Sequence, residues 1–180
     1  PIPRRSNPAG GISSTVEELL RFAACHLHDG EFEGRRILPA RAAQAMRTTQ
    51  TTADYGRMWG LGWSLRQIAG TTVVEHNGAT NGFMARLTLV PDRKFAIAIL
   101  TNGEYGGAAH GAIASAALDR FLGLRAVPPA RQELSPDQLA LFAGRYSHGL
   151  ADLTLTVEGN GYRVERVTRN PFSGEERERE

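Results

Sequence analysis

The stretch TTVVEHNGATNGFMARLTLVPDRKFAIAIL, residues 71–100, carries the main signal for the fold. Three runs rich in apolar or β-branched residues lie in it, at 71–76, 83–90 and 95–100. Turn-forming residues separate them: Asn77-Gly78, Asn81-Gly82 and Pro91 to Lys94. Three strands joined by short turns predict an antiparallel meander. The unbroken apolar run at 95–100 predicts a strand that is buried on both faces.

Helical patterns precede and follow the meander. Ser14 and Glu17 predict a capping box for a first helix that ends at Asp29-Gly30. The other predicted elements are a helix from Pro39 to Met46, a polar loop from Thr48 to Asp54, a strand at Trp63 to Leu65 and a helix from Ala108 to Leu122. Together they predict an α+β fold, with an antiparallel sheet flanked by helices.

The last third of the chain has a different character. The segment Val127 to Gln132 is typical of a linker, and a short helical turn is predicted from Pro136 to Phe142. Two strands flank Gly159-Asn160-Gly161, a strong hairpin signal, and the six charged residues from Glu175 predict a disordered end. We therefore predict a main domain at residues 1–126, a linker at 127–136 and a partial β-rich accessory domain with a charged tail at 137–180.

Composition excludes several classes of function. A formal net charge of +2 is too small to favour nucleic acid, and Cys25, the only cysteine, can form neither an internal disulfide nor a thiolate metal cluster. No run of about 18 apolar residues predicts a membrane span. The chain begins at Pro1 without Met, so we expect a fragment of a longer protein and leave its localisation open.

No cofactor or metal site is predicted. The glycines of Gly60-Leu61-Gly62 lack the third glycine of a dinucleotide fingerprint, and the loop Gly103 to Gly107 lacks the Lys-Ser/Thr of a phosphate-binding loop. His26 and His28 lie two apart on a predicted helix and so point roughly 200° apart. His110 and His148 have no ligand-type residues at suitable spacing.

The segment His76-Asn77-Gly78 can be interpreted in two ways. Locally, a strand that ends in a glycine turn is usually only a turn. Alternatively, a glycine at a strand edge leaves room for a ligand, and a free backbone N–H there can receive a substrate carbonyl. Physical chemistry alone leaves both interpretations open.

Five motifs resemble, in order and spacing, the carboxy-terminal half of the serine β-lactamase-related family of class C β-lactamases, penicillin-binding proteins and esterases. They are Pro8-Ala9-Gly10-Gly11-Ile12-Ser13-Ser14-Thr15, Ile37-Leu38-Pro39, Gly60-Leu61-Gly62-Trp63, His76-Asn77-Gly78-Ala79-Thr80-Asn81-Gly82-Phe83 and Leu100-Thr101-Asn102. The resemblance covers residues 8 to about 122. It implies a helical lobe beside an antiparallel sheet covered by helices.

In that family a Ser-x-x-Lys carries the nucleophile, a Tyr-x-Asn supplies a tyrosine, and Lys-Thr-Gly or His-x-Gly lines the site. His76-Asn77-Gly78 is similar to the third motif. The resemblance implies that His76, Gly78 and Ala79 are catalytic, with His76 in the cleft and the Ala79 N–H as one of two oxyanion-hole donors. It also implies that substrate contacts come from Asn77, Thr80 and Asn81.

The first two motifs are absent from these 180 residues. Lys94 is the only lysine and Pro91 precedes it by three, and no tyrosine is followed two residues later by Asn. We therefore expect a fragment of a serine hydrolase that acts on an ester, amide or β-lactam through an acyl-enzyme, inactive as this chain alone. A non-catalytic ligand-binding or sensor module and a purely structural domain are the alternatives. We also expect self-association through a bare sheet edge.

Overall fold

The computed structural model divides the chain into two compact units, Pro1–Val127 and Pro128–Glu180. It describes residues 4–53, 57–80, 82–103, 105–127, 130, 132–148, 151–169 and 176–179. The helices are α1 (Asn7–Gly10), α2 (Val16–Leu27), α3 (Ala40–Met46), α4 (Gly106–Leu122) and α5 (Pro136–Ala140). Within the described ranges, no helix is both long and apolar enough to cross a membrane.

The capping box of α2 lies one residue later than the sequence predicts. Thr15 is the N-cap: its Oγ1 accepts a hydrogen bond from the Glu18 N–H (3.2 Å), and Glu18 accepts one from the Thr15 N–H (3.0 Å). Ser14 and Glu17 are therefore the wrong pair. Adjacent Ser-Thr and Glu-Glu residues offer two registers, and the structure uses the second. The hydrogen bond from the Thr15 N–H is the main cause of a lowered pKa for Glu18.

The main sheet has six antiparallel strands in the order β3-β4-β5-β6-β7-β8. Their bounds are β3 Thr51–Thr52, β4 Met58–Trp59, β5 Ser64–Ile68, β6 Thr71–Thr80, β7 Phe83–Val90 and β8 Phe95–Thr101. A two-strand ribbon, β1 (Glu31–Phe32) and β2 (Arg35–Arg36), lies outside it. The predicted meander is thus β6-β7-β8. The predicted polar loop is wrong at Thr51–Thr52, which pair with β4.

Asn77-Gly78 lies inside β6 and does not form a turn. The pairing of β6 with β7 runs without interruption from Val74 and Leu89 to Thr80 and Phe83. The predicted end of the strand at His76 is therefore wrong. Cross-strand pairing along the whole of β7 outweighs the local turn preference of an Asn-Gly pair. The predicted turn at Asn81-Gly82 begins at Asn81, which lies outside the described residues.

Helices cover both faces of the sheet. One apolar cluster packs α2 on the first face, and its buried members are Ala23, Leu27, Trp63, Leu65, Val74, Leu87 and Leu89. On the opposite face α4 packs with Ile68, Val73, Val90, Leu118 and Leu124. Neighbours such as Val73 and Val74 divide between the two clusters because strand side chains alternate. The α+β class with a helix-flanked antiparallel sheet is confirmed.

Strand β8 is less buried than its sequence predicts. Phe95 to Ile99 are only half-buried, and Leu100 is 37% exposed. Among the described strands β8 pairs only with β7, so it forms one edge of the sheet. The predicted burial on both faces is therefore wrong, because an edge strand lacks one neighbour.

The second unit is a four-stranded antiparallel sheet with α5. Its strands follow the order β12-β11-β10-β9, with β9 Gly144–His148, β10 Ala151–Glu158, β11 Gly161–Arg169 and β12 Glu176–Arg179. The predicted hairpin is confirmed by the Glu158–Gly161 pair that closes it. The prediction of a disordered tail is wrong for Glu176–Arg179, because these residues pair with β11. Tyr162 donates a hydrogen bond to the Leu139 carbonyl (2.7 Å), which fixes α5 on this sheet.

Candidate active site

Strand β6 extends beyond its neighbour β5. The last pair between the two strands is Ser64 with Glu75, whereas β6 continues to Thr80 along β7. From His76 to Thr80, β6 therefore has no partner strand on the β5 side among the described residues. The backbone groups that point to that side are available to a ligand. The candidate motif thus occupies an open strand edge within a sheet that is otherwise paired.

The structure divides the predicted site residues between two faces of β6. His76, Gly78 and Thr80 share one face, and Asn77 and Ala79 share the other, since side chains alternate along a strand. His76 to Ala79 are exposed and Thr80 is half-buried. Asn81, the remaining predicted residue, lies outside the described residues. The described motif residues therefore lie together along one strand edge, but their side chains point to two different faces of the sheet.

The imidazole of His76 lies beside the indole of Trp59. The ring centroids are 6.2 Å apart and the ring planes make an angle of 76°, an edge-to-face arrangement. Trp59 is half-buried in β4, where it pairs with Thr51 on one side and Ser64 on the other. Sequence reasoning did not identify Trp59, because β5 separates it from His76 in the order of the chain.

A cavity of about 230 Å³ lies between β6, β7 and the start of α4. Its lining residues are Asn77, Gly78, Ala79, Met84, Ala85, Arg86, Gly107 and His110. His76 is not among them. The pairing of Asn77 with Arg86 and of Ala79 with Met84 follows from the register of the hairpin. Gly107 and His110 are contributed by tertiary packing alone, and the sequence carries no signal that joins them to β6.

A half-buried ionic network supports this end of β6. Glu75 accepts a hydrogen bond from Arg86 (2.6 Å) and forms a second ion pair with Arg66 (3.4 Å). Arg86 also donates to the Thr88 hydroxyl (3.3 Å). The side chains of Glu75 and Arg86 are each 13% exposed. Two guanidinium groups around the Glu75 carboxylate fix the backbone immediately before His76. The carboxylate also partly neutralises the charge of Arg86 at the cavity wall.

Helix α4 begins very close to β8. A Cβ added at Gly106 would collide with the Thr101 hydroxyl, so only glycine allows this approach. The same hydroxyl shares a hydrogen bond with Nε2 of His110 (3.0 Å), and His110 is buried. This arrangement places the first turn of α4 at the floor of the cavity.

The described residues supply a proton-handling group and a strand edge, and they supply no metal site. Among them, no group of three His, Cys, Asp or Glu side chains lies close enough to hold an ion. His26, which is buried between Phe22 and Trp63, belongs to the core and lies away from the motif. The chemistry available at β6 is therefore general acid–base action by His76 and hydrogen bonding by backbone N–H groups.

Known proteins resemble this chain over most of its length. The Beta-lactamase family model matches residues 1–120. Penicillin-binding protein 4 of Amycolatopsis lactamdurans is 32% identical over 155 residues, which are 81% of this chain and 40% of that protein. The chain thus spans well under half the length of this curated relative.

Solved structures share the fold. The crystal structure of SurE with D-Leu superposes with a TM-score of 0.57 at 24% identity, over 88% of this chain and 40% of SurE. An octameric penicillin-binding protein homologue from Pyrococcus abyssi gives a TM-score of 0.55 at 20% identity, over 92% of this chain and 36% of the homologue. The family model covers two thirds of the chain, and its match agrees with the helix-flanked sheet described above. This chain therefore belongs to the Beta-lactamase family, the serine β-lactamase-related group that includes the penicillin-binding proteins.

Proposed function

We propose that this chain forms the sheet wall of a serine-hydrolase site that cleaves ester, amide or β-lactam bonds through an acyl-enzyme. The observation that carries the proposal is the open edge of β6 at His76 to Ala79, where β5 has already ended. The nucleophile is assigned to a part of the protein outside these 180 residues, because no Ser-x-x-Lys lies within them.

Ala79 is assigned the oxyanion-hole donor on this wall. In an antiparallel strand, the backbone groups of alternate residues point to the same side, so Asn77 and Ala79 share a direction. We assign the backbone groups of Asn77 and Ala79 to the open-edge side. An extended substrate can then pair with the strand, and its carbonyl can accept a hydrogen bond from the Ala79 N–H. Loss of one such donor typically costs about 3 kcal/mol of transition-state stabilisation.

His76 is assigned the role of a proton-handling group beside the nucleophile. Its ring is exposed and lies next to the half-buried Trp59, on the opposite face of β6 from Asn77. Imidazole is suited to this role because one ring nitrogen can accept a proton while the other donates one. The cavity beyond Asn77 is assigned to part of the substrate, since it adjoins the same strand segment.

We expect this chain's substrates to be a narrower class than those of the whole family. His76 stands where true β-lactamases of this group carry lysine, and by resemblance this favours ester or peptide-type substrates. A shared fold does not fix the substrate. Small-molecule esters, short peptides and β-lactams are therefore the panel to compare.

The test is covalent labelling of the longer gene product that contains this chain. A fluorophosphonate and a fluorescent penicillin should label one serine in a Ser-x-x-Lys outside residues 1–180, and replacement of that serine by Ala should abolish the label. The 180-residue chain alone is the matched control and should remain unlabelled. A gene product that lacks Ser-x-x-Lys and takes up neither reagent would falsify the proposal.

The absence of Ser-x-x-Lys and Tyr-x-Asn from this chain favours a second candidate, a binding or sensor module that keeps the cleft without a nucleophile. Such a module would bind a β-lactam or peptide reversibly. Equilibrium binding to the 180-residue chain, without covalent labelling of the gene product, would favour this candidate over the hydrolase.

Self-association through the sheet edge is also proposed. Strand β8 is an edge among the described strands, and its sequence, FAIAILT, carries no charged residue. An uncharged apolar edge favours pairing with another chain. The homologue from Pyrococcus abyssi, which shares the fold, is octameric.

A further inference from the structure

An aromatic contact holds the imidazole of His76. Within the described ranges, its ring packs edge-to-face against Trp59 at 6.2 Å, and no hydrogen bond or ion pair reaches it. An exposed side chain on a strand has several staggered χ1 wells to choose from. The neighbouring indole is therefore the group that selects among the orientations of this ring.

Trp59 is well placed to act as a fixed support. Its strand β4 lies between β3 and β5, and the Gln50 N–H donates a hydrogen bond to the Trp59 carbonyl (2.7 Å). Its backbone is thus held on both sides while its ring reaches the open edge of β6. A large planar side chain with two torsions also loses little rotamer freedom when it serves as a contact surface.

An aromatic support suits a group that gains and loses a proton. A carboxylate partner would favour the charged imidazole, and a hydrogen-bond donor would favour the neutral one. An aromatic ring packs against the neutral imidazole and also attracts the protonated one. The contact between Trp59 and His76 can therefore persist through a proton-transfer cycle.

We propose that Trp59 is the positioning residue for His76, and that its indole holds the imidazole in the orientation used at the open edge of β6. The inference rests on the function proposed above, because it concerns the orientation of the group assigned to proton transfer. Trp59 itself is given no contact with the reacting atoms.

The contact is tested first in the 180-residue chain by proton–carbon NMR of the histidine rings. The signals of His76 are assigned by their loss in His76→Asn. Trp59→Leu should move these signals to the positions of a freely exposed imidazole, and Trp59→Phe should leave them nearer to the wild-type positions. Phe121→Leu, which removes another exposed aromatic side chain, is the control and should leave them in place. Unmoved His76 signals in a folded Trp59→Leu variant would overturn the proposal, and so would signals that Trp59→Phe moves all the way to the positions of a freely exposed imidazole.

The consequence for catalysis is tested in the longer gene product. Trp59→Leu should lower kcat roughly tenfold, which is the size of effect that one aromatic contact exerts, and should leave KM unchanged. Trp59→Phe should recover most of the lost kcat. If His76→Asn lowers kcat while Trp59→Leu does not, positioning by Trp59 is wrong and the proposed function stands. If neither variant alters turnover, the role of His76 is wrong, and the NMR signals then decide whether Trp59 orients the ring.

Discussion

Ser64 pairs with Glu75, and this is the last pair between β5 and β6. The next residue of β6 is His76, so the candidate catalytic segment begins where its strand loses one neighbour. Glu75 itself is fixed by Arg66 and Arg86. Glu75 is therefore held by strand pairing and by two ion pairs, and the open edge of the candidate site begins at the next residue.

Replacement of His76 by Asn should slow ester turnover by the proposed longer gene product roughly 100-fold, the typical contribution of a positioned acid–base group. Steady-state kinetics with a chromogenic ester measures this. His28→Asn is the matched control, since His28 is the exposed residue that caps the carboxy-terminal end of α2 and belongs to no part of the proposed site. Equal turnover in the two variants would remove His76 from the mechanism.

Gly78→Ala should reduce turnover without harming the fold. An added Cβ would contact only the Ala85 Cβ at 3.8 Å, an ordinary distance, so the free energy of unfolding should stay equal or rise by up to about 1 kcal/mol. The methyl group would project from the face of β6 that His76 shares, beside the edge where an extended substrate approaches, and we expect KM to rise. Gly111→Ala, which meets nothing within 4 Å, is the control. Wild-type kinetics in Gly78→Ala would contradict substrate approach along this strand.

Glu75→Gln should destabilise the first unit by about 1–3 kcal/mol, because it leaves two half-buried guanidinium groups without their carboxylate. Urea unfolding, monitored by tryptophan fluorescence, measures the change. Asp119→Asn breaks the exposed pair with Arg125 and should have no measurable effect. A Glu75→Gln variant as stable as Asp119→Asn would show that the network does not stabilise β6.

The stability of the first unit should fall with pH below about 6.5, the ordinary pKa of histidine. His26 is fully buried, and among the described residues neither of its ring nitrogens has a hydrogen-bond partner. Burial, followed by the charge of Arg47, lowers its pKa. The unfolded chain therefore takes up a proton before the folded one does. The free energy of unfolding is retained above pH 6.5. Below that pH it decreases by up to about 1.4 kcal/mol per pH unit, until His26 is protonated in the folded state too.

Urea unfolding of wild type and His26→Phe at pH 7.5, 6.5 and 5.5 checks this expectation. The variant keeps an aromatic ring between Phe22 and Trp63 and should show a smaller loss between pH 6.5 and 5.5. Parallel curves for the two proteins would mean that His26 does not cause the dependence.

The 180-residue chain should elute as an oligomer in size-exclusion chromatography with light scattering. Leu100→Lys adds a charge to the β8 edge at a residue that is already 37% exposed, and it should shift the chain toward monomer. Ile113→Lys, at a 49% exposed position on α4, is the control and should leave the oligomer intact. A monodisperse wild-type monomer would rule out association through this edge.

Local sequence patterns specify the order and kind of the main elements. Short turns between apolar runs specify the β6-β7-β8 meander, because local hairpins follow from local turn chemistry. The order and spacing of the five motifs, the last of which is Leu100-Thr101-Asn102, also predict the family that the comparisons confirm. Both kinds of information are local along the chain, or depend only on spacing.

Long-range packing, in contrast, assembles the candidate site. Pairing with β7 extends β6 through Asn77-Gly78, where local preference predicts a turn. The early end of β5 leaves that segment with an open edge, and β4 brings Trp59 to His76 across an intervening strand. Packing of α4 adds Gly107 and His110 to the cavity. These contacts join residues that are distant in sequence, so their formation depends on the packing free energy of the whole sheet rather than on local preference.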